Sequence, residues 1–359
     1  MTDASRNPAA SRNPADTSRR SQLLAIKLGT LVDEHFGPRQ SGVPGSDAET
    51  FATGAALLRD GAAWVLIDGR ADRSLGAALV WAVRRSATHL HVIAEHDTGL
   101  LARRATAFSL PITVWFADGR TLLPAIAEPL PTRLAVPEEH EALRSMIVEA
   151  GATPNAEHGV LFGEVRGLEV CRVVASPTTG FLGEVSDLAR ADDDGVRLEV
   201  GVGAADREAF QMLHGEIPTV AALADIVSTV QAHRSTGSPQ HPLNRLGIER
   251  FLRWQAEESP VLVGCAELTP AEPPVPRPNL KDPVPCVARG VRTDGTLARV
   301  VFSSGVDLDA LPYVADVQAM GGEPVVLVLP ARDLLPIVSK VADLLEYPVT
   351  VVGLTSSST

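Results

Sequence analysis

The sequence predicts an α/β fold in which two small, mainly parallel three-layer-type modules flank a mixed α+β central segment. Three observations predict it. Short apolar strands alternate with helical stretches from Trp64 to Phe116, the same alternation returns near the C-terminus, and the stretch between follows no such rhythm. Strands alternating with helices of this length pair in parallel through right-handed crossovers.

The chain has 359 residues, 45% hydrophobic and 21% charged, which is ordinary for a globular protein and enough for several domains. That composition excludes a wholly disordered chain, a collagen-like fibre and a disulfide scaffold. No apolar run approaches the roughly 20 residues of a membrane-spanning helix, so a soluble protein with no membrane partner is expected. The net charge of −12 argues against a nucleic-acid partner, which would call for a basic surface, although a local basic groove stays open. Lysine occurs only at Lys27, Lys281 and Lys340, so positive charge is nearly all arginine. Cys171, Cys265 and Cys286 are odd in number and widely spaced, and they form neither a zinc pattern nor a disulfide framework. Without the apolar core of a signal peptide, a cytoplasmic, reducing location is the default.

Taken in order, residues 1–20 carry the hexamer Ala-Ser-Arg-Asn-Pro-Ala twice, at Ala4–Ala9 and Ala10–Ala15. So polar a segment buries too little surface to offset its ordering entropy and is expected to be a disordered tail. The first module, 21–123, opens with a helix from Ser21 to Phe36, stopped by Gly37-Pro38. Ser46 and Glu49 have capping-box spacing and predict a second helix bearing Phe51, Ala55 and Leu58. Strands at Trp64–Asp68, Leu90–Ala94 and Ile112–Phe116 then alternate with helices at Leu75–Val83 and Leu100–Phe108. Prolines 124, 129, 131 and 137 mark a linker, 124–137. The central segment, 138–269, predicts a helix at Glu138–Ala150 and strands at Val160–Phe162, Leu168–Val174 and Val196–Val202. Helices follow at Asp206–Leu213, Val220–Ala232 and Leu243–Gln255, then a strand at Val261–Cys265. Seven prolines make 270–285 an extended strap. The last module, 286–354, matches the first: Arg299–Ser303 with Trp64–Asp68, Val326–Asp333 with Leu90–Asp97, and Pro348–Val352 with Pro111–Trp115. Internal duplication explains the match; so does the sameness of all βαβαβ units.

The densest polar cluster closes the second strand of the first module: His89, His91, Glu95, His96 and Asp97. Open α/β sheets place ligands at the carboxyl ends of parallel strands. Glu95, His96 and Asp97 are therefore the candidate ligands for a divalent metal, with Arg70 and Arg73 as candidate anion-binding groups. The competing reading is a solvated loop with Asp97 as a helix cap. Asp72 with Asp307, and Asp97 with Asp333, recur in both modules and invite the same choice between acid/base work and capping. Glu199-Val-Gly-Val-Gly-Ala-Ala-Asp206 is a partial phosphate-cradling turn, but it lacks the third glycine and Asp206 sets a negative charge where the phosphate would sit; the competing reading is a tight turn with Asp206 capping the helix. If the strands bearing Glu169 and Glu199 pair, two carboxylates and an arginine meet on one sheet face as an ion pair or an acidic site. Along the predicted helix near 243–255, Arg245, Glu249 and Arg253 stand i, i+4, i+8, which reads as ion-pair support for a surface helix.

Asp68-Gly69-Arg70, followed by helix, strand, helix and strand through Phe116, resembles the second half of restriction-endonuclease-like domains, where a strand carries Glu-x-Lys. Arginine stands in place of lysine and cannot perform every role of it. No upstream strand supplies the family's aspartate, and generic α/β modules share the pattern, so membership is not inferred. Two functional expectations follow. The first is a binding or assembly protein without catalytic activity or cofactor, engaging a protein partner or a second copy of itself. The alternative is a metal-dependent hydrolase, nuclease-like, with its site at the strand ends of the first module.

Overall fold

The computed structural model describes residues 14–37, 47–51, 54–175, 195–213, 219–235, 241–277 and 283–355. Most of the expected tail, the capping residue Ser46 and part of the proline strap lie outside them. The chain divides into two compact units, Met1–Pro129 with Ile337–Tyr347, and Leu130–Pro336 with Pro348–Thr359.

In the first unit, helix α1 (Pro14–Phe36) begins earlier than expected and draws residues 14–20 out of the tail. Proline suits a first helical turn, whose amides have no intrahelical partner anyway. The six-stranded sheet has the order β1 (Glu49–Phe51), β2 (Gly54–Arg59), β3 (Ala62–Leu66), β4 (His89–Ala94), β5 (Ile112–Asp118), β6 (Thr121–Pro124). Strands β3, β4 and β5 are parallel, joined through α2 (Leu75–Arg84) and α3 (Thr98–Ala105); the other pairings are antiparallel. The helix expected around Phe51–Leu58 is instead the β1–β2 pair. Asp60 (φ 52°) and Gly61 (φ 78°) form a two-residue turn with both residues left-handed, the geometry that folds β2 back on β3. The β3 backbone also lies hard against β2, where a Cβ on Gly54 would stand 1.9 Å from the Leu66 carbonyl oxygen.

Side chains alternate across a strand, so the sheet has two apolar faces. Leu28, Leu31 and Val32 of α1 pack on Leu57, Trp64 and Ile93. Helix α2 lies along β3 and β4, and α3 along β5, against the residues of opposite parity, such as Val65, Val92 and Val114, all buried.

In the second unit, the expected helix at 138–150 is two short ones, α4 (Glu138–Glu141) and α5 (Arg144–Glu149). A four-stranded antiparallel sheet follows, β7 (Thr153–Glu157), β8 (Val160–Val165), β9 (Leu168–Ala175) and β10 (Val196–Val200). Its hairpins turn at His158-Gly159 and Arg166-Gly167, again left-handed pairs. Helices α6 (Ala204–Leu213) and α7 (Thr219–His233) come next, and Leu223 and Val227 of α7 share a core with Ile147, Leu161, Val170 and Cys171.

Helix α8 (Ile248–Glu258) leads into a five-stranded sheet: β11 (Cys265–Ala271), β12 (Cys286–Arg292), β13 (Leu297–Phe302), then α9 (Ala310–Gly321), β14 (Val325–Pro330), α10 (Pro336–Ala342) and β15 (Val349–Leu354). The strand expected at Val261–Cys265 is a 3-10 turn, Pro260–Val263, and the strand proper runs on through Pro270 into the strap. Proline is tolerated there because β11 is an edge strand. The ladders β1–β5 and β11–β15 share one pairing order: antiparallel, antiparallel, parallel, parallel. The expected parallel trios are therefore present, each extended by antiparallel strands into a mixed sheet. Within the first unit, the turns after α3 and α10 form a reciprocal bridge. The Ser109 amide donates to the Leu344 carbonyl (2.7 Å), and the Glu346 amide to that of Ala107 (2.9 Å). All three cysteines are buried free thiols. Burial pushes Cys171 and Cys286 up to about 12. Among the described residues, no helix is long and apolar enough to cross a membrane.

Candidate functional site

Glu95, His96 and Asp97 follow β4 on an exposed turn. Lys27 holds the Glu95 carboxylate at 2.5 Å, and its hydrogen bond and charge keep that carboxyl below the usual range. Asp97 adopts a left-handed backbone (φ 54°) and makes no side-chain cap to α3; its carbonyl accepts from the Leu101 amide instead. Among the described residues, no group of three or more His, Cys, Asp or Glu side chains is placed to hold a metal ion. Arg70 is exposed and forks onto Asp72 through Nε (3.2 Å) and Nη2 (2.6 Å), and Arg73 lies in the same 3-10 turn. Asp307 accepts from the Asp309 amide (3.1 Å) and Asp333 from that of Gly305 (2.8 Å), which gives both local structural partners. His89 and His91 belong to the core face. The His91 ring stacks on Trp64 with centroids 3.6 Å apart, and its Nδ1 accepts from Trp115 Nε1 at 3.1 Å. Burial, helped by the neighbouring His89 and His35, lowers His91 to about 3.

Helix α8 reverses the expectation of a surface helix. Glu249 (2% exposed), Arg250 (4%) and Arg253 (1%) are buried, because the central sheet brings carboxylates to meet the two arginines and Arg277 stands 3.8 Å from Glu249. Arg250 donates to Glu157 (2.5 Å) and Glu164 (2.6 Å), and Arg253 donates to Glu164. Ser304 donates to Glu249 (2.5 Å). Burial alone would raise Glu164, but Arg253 and Arg250 together outweigh it and hold the carboxyl down. Arg234, fully buried, donates to the carbonyls of Arg166 (2.8 Å), Leu243 (2.5 Å), Leu246 (2.8 Å) and Gly247 (3.0 Å), tying the end of α7 to the entry of α8. The apolar residues of α8, Leu252 and Ala256, pack on Cys286, Val300 and Phe302 of the last sheet. One helix thus presents charge to one sheet and hydrocarbon to the other.

With only 11 residues, α8 covers part of that last sheet, and a groove of about 350 Å³ opens beside it. Its apolar lining is Leu262, Val263, Val326 and Val352; Thr350, Arg292 and Asp294 supply polar groups. Val261 and Leu262, on the adjoining 3-10 turn, are 72% and 51% exposed. Strand β15 ends the sheet. The corresponding strand of the first unit, β5, is not an end strand, because β6 pairs with it and tucks Leu122 (2% exposed) under α1.

Sequence reasoning expected Glu169, Glu199 and Arg197 to share a sheet face; Arg197 donates to Glu199 (2.8 Å), while the arginines that reach Glu169 are two others. Strands β9 and β10 do pair, with Glu199 opposite Arg172; Arg172 forks onto Glu169, while Arg207 reaches both Glu169 (3.2 Å) and Glu199 (3.5 Å). It missed the groove residues, since nothing in a strand's own pattern reports whether a helix covers it. It also missed Arg250 as a buried group, although the charged stripe of α8 was visible. No family model matches the chain, and no curated protein or solved structure is similar to it. Fold and site therefore define a class only: an α/β protein with three sheets among the described residues, a buried charged helix and an open groove of mixed lining.

Proposed function

We propose that this chain is a non-catalytic binding or assembly protein that accepts an apolar, extended segment of a protein partner along β15. The observation that supports the reading is the open groove beside a sheet-end strand. An end strand offers unpaired backbone donors and acceptors, and a segment adding to it gains main-chain hydrogen bonds while pockets read its side chains. Strand β6 serves as an internal precedent, making this addition to β5. A partner strand would do for β15 what β6 does for β5, with an apolar side chain seated over Val326 and Val352. Exposed Val261 and Leu262 would line its path.

The test is affinity purification and sedimentation of the full chain beside a Val261→Asp, Leu262→Asp double variant. Both substitutions fall on exposed side chains, so the fold should stand. A stoichiometric partner, or a dimer, kept by the unmodified chain and lost by the variant is the expected result. An unmodified chain that stays monomeric without a partner ends the assembly reading. Equal association by both proteins moves it away from the groove.

A further inference from the structure

The second unit holds a separate cavity of about 170 Å³ at the outer end of the charged layer. Four guanidinium groups line it, from Arg172, Arg207, Arg250 and Arg277, against two carboxylates, Glu157 and Glu169. The start of α6 reaches the same space through Gly203 and Ala204. That places the positive end of a ten-residue helix at the cavity, where the dipole favours an anion and the first-turn Asp206 already offsets part of it. The glycine turn before it is required: at Gly201 (φ 143°) a Cβ would stand 2.8 Å from the Arg207 amide nitrogen.

Arg207 is the group that calls for a ligand. Its side chain is 10% exposed, and a guanidinium carries five N–H donors. Among the described residues its Nη1 makes one hydrogen bond, to Glu169 at 3.2 Å, and its Nε stands 3.5 Å from Glu199, so a single hydrogen bond serves the whole group. Buried donors without acceptors are costly, and a ligand oxygen would remove the cost. The His158 Nε2 is also buried without a hydrogen-bond partner at this cavity, its ring lying 3.8 Å from Glu272 through Nδ1. Arg172 stands at the rim, 37% exposed, with Nε (2.8 Å) and Nη2 (3.0 Å) on Glu169.

We propose that this cavity binds a small dianionic oxyanion, the phosphoryl group of a phosphate monoester or free phosphate. Glu164, Glu199 and Glu249 stand behind the lining arginines and balance their charge, so the selection rests on geometry: the donors of four guanidinium groups suit the three oxygens of a phosphoryl group better than the two of a carboxylate. Guanidinium forks match the spacing of phosphate oxygens. The volume lies below the ~300 Å³ at which drug-sized pockets begin, so a single charged head enters and the remainder of any larger ligand stays outside. Burial pushes the Glu157 carboxyl up, against the pull of the Arg250 guanidinium beside it.

Calorimetric titration of the full chain with inorganic phosphate, and separately with acetate, at ionic strength held constant with chloride, tests the assignment. Saturable phosphate binding is expected, weakened at least tenfold in Arg207→Gln, with acetate binding at least tenfold weaker than phosphate. If Arg207→Gln fails to fold by circular dichroism, Arg172→Gln at the rim takes its place with the same expected loss. No saturable phosphate binding by the unmodified chain overturns the site, as does equal affinity in a folded variant. Acetate bound as tightly as phosphate overturns the dianion assignment.

Discussion

Two sheets in this molecule share a strand order and differ in what covers them. The sheet of the first unit lies under α1, a 23-residue helix whose buried contacts are Leu28, Leu31 and Val32. The last sheet lies under α8, an 11-residue helix that also buries Glu249, Arg250 and Arg253. The first helix serves one apolar face, and an apolar stripe on it is enough. The second serves two sheets, and the one that meets its charged side supplies Glu157 and Glu164 rather than hydrocarbon. A pair of buried ions adds little net stability over an apolar pair, yet losing one partner is severe. The comparison teaches that the same strand ladder can be closed by a permissive layer or by an exacting one.

The largest expected effect breaks the exacting layer. Glu164→Gln leaves Arg250 and Arg253 buried without their shared carboxylate, and should cost about 3–5 kcal/mol, read as faster hydrogen exchange in β8 and α8 of the full chain. Unchanged exchange there would show that the charged layer bears little of the fold. Next, Leu28→Ala removes a fully buried side chain and should cost about 2–5 kcal/mol. Its exchange should quicken in α1 and β2, while α8 stays as it was. The last effect is set by pH, and at the mildly acid end of its window only part of it is felt. His91 is held at about 3, below its unfolded value, so the folded state favours the neutral ring. The stability this contributes is complete above about pH 6.5 and is lost as pH falls from there toward 3. Melting followed by tryptophan fluorescence should therefore drop on acidification through that window, and His91→Phe should flatten the drop. A variant as acid-sensitive as the unmodified chain would place the loss in the carboxylates.

The parallel trio β3, β4, β5 was legible because it is local: apolar strands, helices of the right length, and crossovers that admit one hand. The β2–β3 hairpin was not read, although Asp60-Gly61 is a hairpin-turn dipeptide; the capping-box spacing of Ser46 and Glu49 misled instead. The burial of α8 was not legible, since its counter-charges stand 86 and 93 residues away from Arg250. A charged stripe at helical spacing reads as solvated until the partner strands are known. For the candidate sites, Glu169 and Glu199 do meet, but strict alternation would have kept them apart; the bulge opposite Gly163 and Glu164 turns Glu169 to the face that Arg172 and Glu199 share. Glu95, His96 and Asp97 drew attention by their density in sequence, whereas the arginines around the cavity come from β9, α6, α8 and the strap, and no window of sequence contains them together.

The placement of the thiols has a practical consequence. Cys171 lies in the central sheet and Cys265 and Cys286 in the last one, while the first unit contains none. A thiolate reacts and a thiol hardly does, so with Cys171 and Cys286 held near 12 an alkylating reagent has little to attack while the sheets stay closed. Each labelling event then becomes a timestamp of opening, free of any signal from the first unit. Peptide mapping would tell which of the two sheets around α8 parted first.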